Sequence, residues 1–354
     1  MGMKLAIVVQ RYGLEVNGGA EYHARVLAEE LSAKYQIDIL TTTALDYHIW
    51  ENHYPPGKSN INGINVYRFS TINERRRKFR VARRAVFKEK KYFKILKKLG
   101  LYNFFDKYFN ISVVKPVEID NWIIGQGPFC PDLLGFITEH GDRYDVFIFF
   151  TYLYYPTVKG MPLVANKSIF IPTAHDEPPL YTPPFKNIFS VPKFIMYNTE
   201  SERKLVENYF EDYTKDNDVA GVGIVKYAGG VLALPSELEK KKYFIYVGRI
   251  DKGKACDELI SYYIRFQTEN PKYKDYKLVL VGKNYLPELV VHPSILFMGF
   301  VSEEVKYSLL QQARAMIMPS YFESLSLVTL ESMNEGVPVI VNEQCEVLYE
   351  HILK

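Results

Sequence analysis

The chain has 354 residues, 47% of them hydrophobic, enough for about two domains with buried cores. Its formal net charge is +3, and its three cysteines, Cys130, Cys256 and Cys345, lie far apart without metal-ligand spacing, which favours a reduced, cytoplasmic protein. No apolar run reaches membrane-spanning length, and residues 5–9 are too few for the apolar region of a signal peptide.

Residues 5–9, Leu-Ala-Ile-Val-Val, read as a buried strand and lead into a helical pattern from Ala20 to Ala33. Short apolar runs follow at 37–40 and 64–69. Between residues 75 and 98 stand thirteen Lys or Arg and one acid, Glu89, a local charge of +12 that leaves about −9 for the rest (3 − 12). Phe79, Ala82, Val86, Phe93 and Leu96 give this block an approximate apolar face. It therefore reads either as a basic amphipathic helix for an anionic membrane or as a solvated helical insertion. Nucleic acid is disfavoured, because no nucleic-acid module accompanies it.

Further apolar runs lie at 146–150, 168–171 and 194–197. A boundary is expected within 212–242, where a polar stretch, Gly221, Gly223, Gly229 and Gly230, and the charged run 237–242 succeed one another; residues 219–225 would begin the second domain. In the second half the runs are 243–247, 278–281, 295–298, 315–318 and 337–341. Buried parallel strands read this way, with helical patterns between them. The expected fold class is α/β, two doubly wound Rossmann-like domains: residues 1–215 with a basic insertion near 75–98, and residues 216–354.

Four segments carry chemistry. Gly18 and Gly19, before a helix, let a ligand approach free backbone amides, although an ordinary strand-to-helix turn looks the same. His175, in Pro172-Thr-Ala-His-Asp-Glu-Pro-Pro179, follows a strand's carboxyl end, where a structural histidine bonded to Asp176 or to backbone is the other reading. Arg249 and Lys254 also follow a strand end, where open α/β sheets bind ligands, and two cations so spaced can surround a diphosphate. Glu323 and Glu331 have seven residues between them; were the segment helical throughout, their backbones would stand about 12 Å apart. That is too far to share a proton and suits two contacts on one extended ligand. Asp216-Asn-Asp218 has the spacing of a metal-dependent sugar transferase but lies in a polar stretch, and no His-Glu-x-x-His occurs, so no metal and no cofactor is expected.

Taken in order from Met3 to near Glu350, these segments resemble the retaining GT-B glycosyltransferases often called family 4. Gly18-Gly-Ala-Glu21 is similar to that family's first-domain phosphate turn, and Asn198-Thr-Glu-Ser-Glu202 to the opening of its last first-domain helix. Gln126-Gly-Pro128, Thr151-Tyr-Leu-Tyr-Tyr-Pro156 and Ala174-His-Asp-Glu-Pro178 look like a bacterial-type branch. The resemblance implies that His175 contacts the sugar near its reacting carbon and that Arg249 and Lys254 grip the diphosphate. It also implies that Glu323 faces the sugar, that Glu331 faces the ribose, and that Ser326 and Leu327 line the donor. Two departures are local: Ser324 and Ser326 stand where glycines are common, and Lys-Gly becomes Lys254-Ala255. The third is that family members continue with a further strand and helices, whereas this chain stops at Lys354, so the resemblance implies an incomplete second domain.

The expected function is transfer of a sugar, with retention and without a metal, from a nucleoside-diphosphate sugar to an unknown saccharide or lipid-linked acceptor. The setting would be cell-surface polysaccharide or glycolipid synthesis, in the cytoplasm and peripheral at the inner face of the membrane. The alternative is a non-catalytic sugar-nucleotide-binding or partner-dependent protein. A nucleotide-sugar epimerase would need a further acid/base carboxylate set.

Overall fold

The computed structural model describes residues 2–16, 18–72, 77–87, 95–96, 98–109, 113–185, 187–210, 215–288 and 290–353. It divides into two units, Met1–Ala220 and Gly221–Lys354. Asn17, much of the basic block and residues 211–214 of the expected boundary lie outside the described residues.

Unit 1 runs β1 (Lys4–Val8), α1 (Gly19–Ser32), β2 (Gln36–Thr42), β3 (Gly57–Ile61), β4 (Ile64–Phe69), α2 (Arg77–Val86), α3 (Tyr102–Phe109), α4 (Pro116–Gln126), α5 (Pro131–His140), β5 (Val146–Phe150), α6 (Tyr155–Gly160), β6 (Ser168–Ile171), β7 (Phe194–Tyr197), α7 (Glu200–Tyr209) and β8 (Asn217–Val219). Its sheet has the order β3-β4-β2-β1-β5-β6-β7-β8 and is parallel except for the β3–β4 pair. Period-two alternation sends successive side chains to opposite faces. Ala6, Val8, Phe147 and Phe149 join one core with Trp122 of α4 and Leu133 of α5, while Leu5, Ile7, Ile148 and Phe150 join another with Ala24 and Ala28 of α1. Both faces are covered, which is why these strands are apolar throughout.

Unit 2 runs β9 (Tyr243–Val247), α8 (Cys256–Glu269), β10 (Lys277–Val281), β11 (Ile295–Gly299), α9 (Glu303–Gln312), β12 (Ala315–Met318), α10 (Leu327–Asn334), β13 (Val339–Val341) and α11 (Glu346–Leu353). Its sheet is parallel, in the order β11-β10-β9-β12-β13. Both units thus have the α/β, Rossmann-like architecture expected from the sequence.

Three expectations need correction. The boundary lies after Ala220 rather than after residue 215, because β8 pairs with β7 and keeps Val219 in unit 1. Asn217 and Asp218 are therefore strand residues at a sheet edge, not linker. The second concerns α2, whose apolar side does not face outward. Ala82 and Val86 are buried in the unit 1 core, and the Phe79 ring lies 6.3 Å from that of Trp122. That face is occupied by protein, and among the described side chains of α2 the exposed ones are Arg80, Val81, Arg83 and Arg84; Phe93 lies outside the described residues. Third, Glu323 precedes α10 in a loop, so the Glu323–Glu331 segment is not one helix.

Candidate donor-binding site

In unit 2 the site grows from the carboxyl ends of β9, β10 and β12. Two backbones nearly touch there: a Cβ on Gly282 would lie 1.9 Å from the Gly248 carbonyl oxygen, and Gly282 has φ +133°. Only glycine fits such an approach. The Tyr246 hydroxyl donates to the Arg249 carbonyl oxygen at 2.6 Å and fixes the turn after β9. Asp251 then accepts the Lys254 N–H at 2.9 Å, capping the short turn that delivers Lys254 to the start of α8.

Arg249 is 37% exposed, with Nε 3.5 Å from Asp251 Oδ2. Lys254 Nζ donates to Glu323 Oε1 at 2.7 Å, with the two side chains 22% and 12% exposed. β9 and β12 are neighbours in the sheet, so loops leaving their carboxyl ends meet. Glu331 goes elsewhere. Its two carboxylate oxygens lie 3.1 and 3.0 Å from Lys306 Nζ on α9. Burial holds the Glu331 carboxyl above its ordinary value, and the Lys306 ammonium offsets part of that rise.

The two local departures share one backbone feature. Ala255 has φ +53° and Ser326 has φ +57°, both left-handed. Glycine adopts that conformation without strain, whereas an L side chain loses about 1–2 kcal/mol. Ser326 Oγ lies 2.8 Å from Thr329 Oγ1 as α10 begins, and Leu327 is the first residue of that helix.

In unit 1, Gly18 and Gly19 open α1. A Cβ on Gly18 would fall 2.1 Å from Glu21 Oε2. Glu21 is occupied by a buried ion pair: Arg11 reaches its Oε1 through Nε at 2.9 Å and Nη2 at 2.6 Å. Gly18 is thus required by packing against that pair, whatever ligand the turn accepts. Sequence reasoning missed Arg11, which looked like an ordinary residue after a strand.

His175 follows β6. Its Nε2 lies 3.4 Å from Glu177 Oε2, and its Nδ1 is buried without a hydrogen-bond partner. Asp176 is not its partner; that carboxylate accepts from the Tyr181 hydroxyl at 2.7 Å. Glu177 also accepts from the Tyr152 hydroxyl at 2.5 Å, and the Tyr155 N–H donates to the Gly127 carbonyl at 3.0 Å. The three branch-like segments therefore meet in space. Thr151 and Thr173, just past β5 and β6, adopt φ +65° and +50° and lie 3.2 Å apart through their hydroxyls. For β-branched residues such backbone is strained, and strain of this kind clusters at ligand sites.

Beneath this loop sits a residue that sequence reasoning quoted without a role. Glu202 accepts the N–H of Ala174 at 2.5 Å and of Asn198 at 2.7 Å. Thr199-x-x-Glu202 has the capping-box spacing, and Thr199 does cap α7 by accepting the Glu202 N–H at 3.1 Å. The glutamate, however, reaches a neighbouring loop. Among the described residues, no group of three His, Cys, Asp or Glu could hold a metal ion, and no helix is long and apolar enough to cross a membrane.

A cation and a carboxylate, Lys254 and Glu323, thus meet at the ends of adjacent parallel strands in a chain of two Rossmann-like units. Residues 235–352 match the family model described as "Glycosyl transferases group 1". An uncharacterised glycosyltransferase of Methanocaldococcus jannaschii is 24% identical over 356 residues, 96% of this chain and 80% of that protein. A Campylobacter jejuni N-acetylgalactosamine-N,N'-diacetylbacillosaminyl-diphospho-undecaprenol 4-alpha-N-acetylgalactosaminyltransferase is 33% identical over 122 residues, 32% of this chain and 31% of that protein. A solved trehalose-6-phosphate synthase superposes with a TM-score of 0.67 at 12% identity, covering 98% of this chain and 86% of that one, a likeness of fold.

Proposed function

We propose that the chain is a retaining, metal-independent glycosyltransferase that takes its sugar from a nucleoside diphosphate. The observation that carries this reading is the Lys254–Glu323 contact of 2.7 Å, with Arg249 in the same loop. A cation for phosphate and a carboxylate for sugar hydroxyls are adjacent, as a ligand with those groups side by side requires. Arg249 and Lys254 stabilise charge growing on the departing diphosphate, the electrostatic term that dominates such transfers. Glu323 contacts the sugar and Glu331 the ribose, and Ser326 and Leu327 complete the donor contacts of unit 2. The acceptor we assign is a saccharide or lipid-linked sugar of cell-surface synthesis; the name of the Campylobacter relative gives a sugar linked to diphospho-undecaprenol, a lipid-linked acceptor. Thermal-shift screening against ADP, GDP and UDP, followed by transfer assays with the sugar nucleotides of the base that binds, tests the reading. Binding without turnover would favour the non-catalytic alternative, and no binding at all would reject both.

One consequence separates the two ends of the donor. Glu323 pairs with Lys254, so Glu323→Gln frees the ammonium for phosphate. The variant is expected to bind the sugar-free nucleoside diphosphate about 2–10-fold more tightly, a change of about 0.5–1.4 kcal/mol for a partly exposed pair. Transfer should fall, because the sugar loses its charged acceptor. Calorimetry with the diphosphate alone checks the first half; weaker binding by the variant would contradict it.

The basic block is assigned to an anionic membrane surface, which would hold the protein at the cytoplasmic face. Because α2 spends its apolar side on the core, this association is electrostatic. Binding to vesicles rich in phosphatidylglycerol should therefore vanish as salt rises from about 0.05 to 0.5 M, where screening shortens to a few ångströms. Equal binding to phosphatidylcholine vesicles, or insensitivity to salt, would reject the assignment.

A further inference from the structure

Nothing in the sequence distinguishes Lys306, which lies on α9 as one of many helix lysines. Its surroundings do. The side chain is 13% exposed and lies against Glu331, which is 5% exposed, with both carboxylate oxygens within 3.1 Å of one ammonium. Two longer contacts of 3.3 Å reach Glu303, whose own side chain is 53% exposed. The ammonium also lies 4.4 Å from the centre of the Tyr307 ring, which in turn stacks on Tyr227 at 4.5 Å and 8°. Lys306 is thus packed into a fixed position, and the shorter of its two carboxylate contacts is to the buried partner.

A buried carboxylate without a counter-charge takes up a proton, and a protonated carboxyl is a weaker acceptor for hydroxyl donors. Among the described residues, the titratable groups that act on Glu331 are Lys306, Glu303 and Tyr307, all from α9, and Tyr307 also hydrogen-bonds it. The strands beside α10, β12 and β13, bring none: their sequences are Ala-Met-Ile-Met and Val-Ile-Val. Lys306 is the single cation in that set. Glu303 pushes the other way, and burial does too.

We propose that Lys306 is a positioning residue for the nucleoside end of the donor site: it holds Glu331 ionised and in one orientation, so that the carboxylate accepts hydroxyl groups of the donor's ribose. This rests on the functional reading above and adds a residue to it. Lys306 acts through Glu331 and makes no contact of its own with the ligand. Its loss therefore touches ribose recognition rather than diphosphate affinity.

The test compares each ribonucleoside diphosphate with its 2′-deoxy counterpart, using whichever of ADP, GDP or UDP the wild type binds. Calorimetric dissociation constants are measured between pH 5.5 and 8.5. Wild type is expected to favour the ribose form about tenfold across that range. Lys306→Met should reduce the preference to about twofold at pH 6 and regain part of it at pH 8.5, as Glu331 ionises unaided. Lys306→Arg should keep the wild-type preference and its flat profile. Glu331→Gln should lose the preference at every pH, and adding Lys306→Met to it should change nothing further, which keeps the proposal open to test if one variant folds poorly. A Lys306→Met protein that keeps the tenfold preference, or that weakens both ligands equally at all pH values, overturns the inference while leaving the functional reading intact. Failure of the wild type to bind any of the three diphosphates overturns both.

Discussion

Arg249→Ala is expected to lower kcat/KM for sugar transfer about 100- to 1,000-fold, a loss of about 2.7–4 kcal/mol in transition-state stabilisation. The argument runs from position to charge. Arg249 is the second residue past β9, at the carboxyl end of a parallel sheet, and the Tyr246 hydroxyl pins its carbonyl so that the backbone cannot drift. The neighbouring carboxylate, Asp251, stands 3.5 Å from the guanidinium Nε, which is long for an ion pair in a side chain 37% exposed. The guanidinium thus stands part-exposed at the carboxyl end of the sheet, where open α/β sheets bind ligands and a phosphate can reach it. Such a contact strengthens as the diphosphate leaves, so the effect should fall mainly on kcat, with donor affinity changing less. Arg249→Lys should recover only part of the activity, because an ammonium lacks the planar fork that matches phosphate. The measurement is initial-rate kinetics with a radiolabelled donor. Activity within a few-fold of wild type would remove Arg249 from the site.

The strands that were easiest to read are those buried on two faces. β5, β6, β7, β9 and β12 coincide residue for residue with apolar runs, because a strand covered by helices above and below has no polar face to blur its ends. β3 and β8 escaped notice for the opposite reason. Gly-Lys-Ser-Asn-Ile and Asn-Asp-Val are polar edge strands, and edges take polar residues to avoid pairing with other chains. In the site, the meeting of Lys254 and Glu323 follows from where apolar strands end, so it could be anticipated. Lys306, Arg11 and Glu177 could not, since their meaning lies in partners brought by folding rather than by spacing. The apolar face of α2 was legible as a face, but its partner on α4 was not, and that difference separates a buried helix from a membrane-seeking one. The glycine preference behind Ala255 and Ser326 was visible only by resemblance; the left-handed backbone supplies its cause.

Glu202 offers the second large effect, because its two influences oppose each other. The backbone N–H groups of Ala174 and Asn198 favour its carboxylate form. Burial, at 1% exposure, favours the neutral acid and prevails, pushing the carboxyl from 4.5 up to about 8. Between those values the folded chain holds a proton that the unfolded chain releases, so stability from this group is fully present below about pH 4.5 and is lost as pH rises through 8. A shift of that size corresponds to on the order of 5 kcal/mol across the interval. Glu202→Gln, neutral at every pH, should abolish this slope and leave a flatter profile, though its amide group turns a donor toward one of the two N–H groups and weakens the fold by about 1–3 kcal/mol. Glu202→Ala leaves both N–H groups without acceptors and opens a cavity, a loss of about 3–5 kcal/mol. The chain's two tryptophans, Trp50 and Trp122, both lie buried in unit 1, so their fluorescence follows this unit's unfolding alone. Urea titrations from pH 5 to 9 then give the slope directly. Parallel profiles for wild type and Glu202→Gln would mean that the carboxyl is ionised throughout and that its two hydrogen bonds outweigh burial. Since Ala174 is the residue before His175, the same substitutions should also lower transfer activity even at pH values where the variants stay folded, because the loop that carries the imidazole loses its anchor to α7.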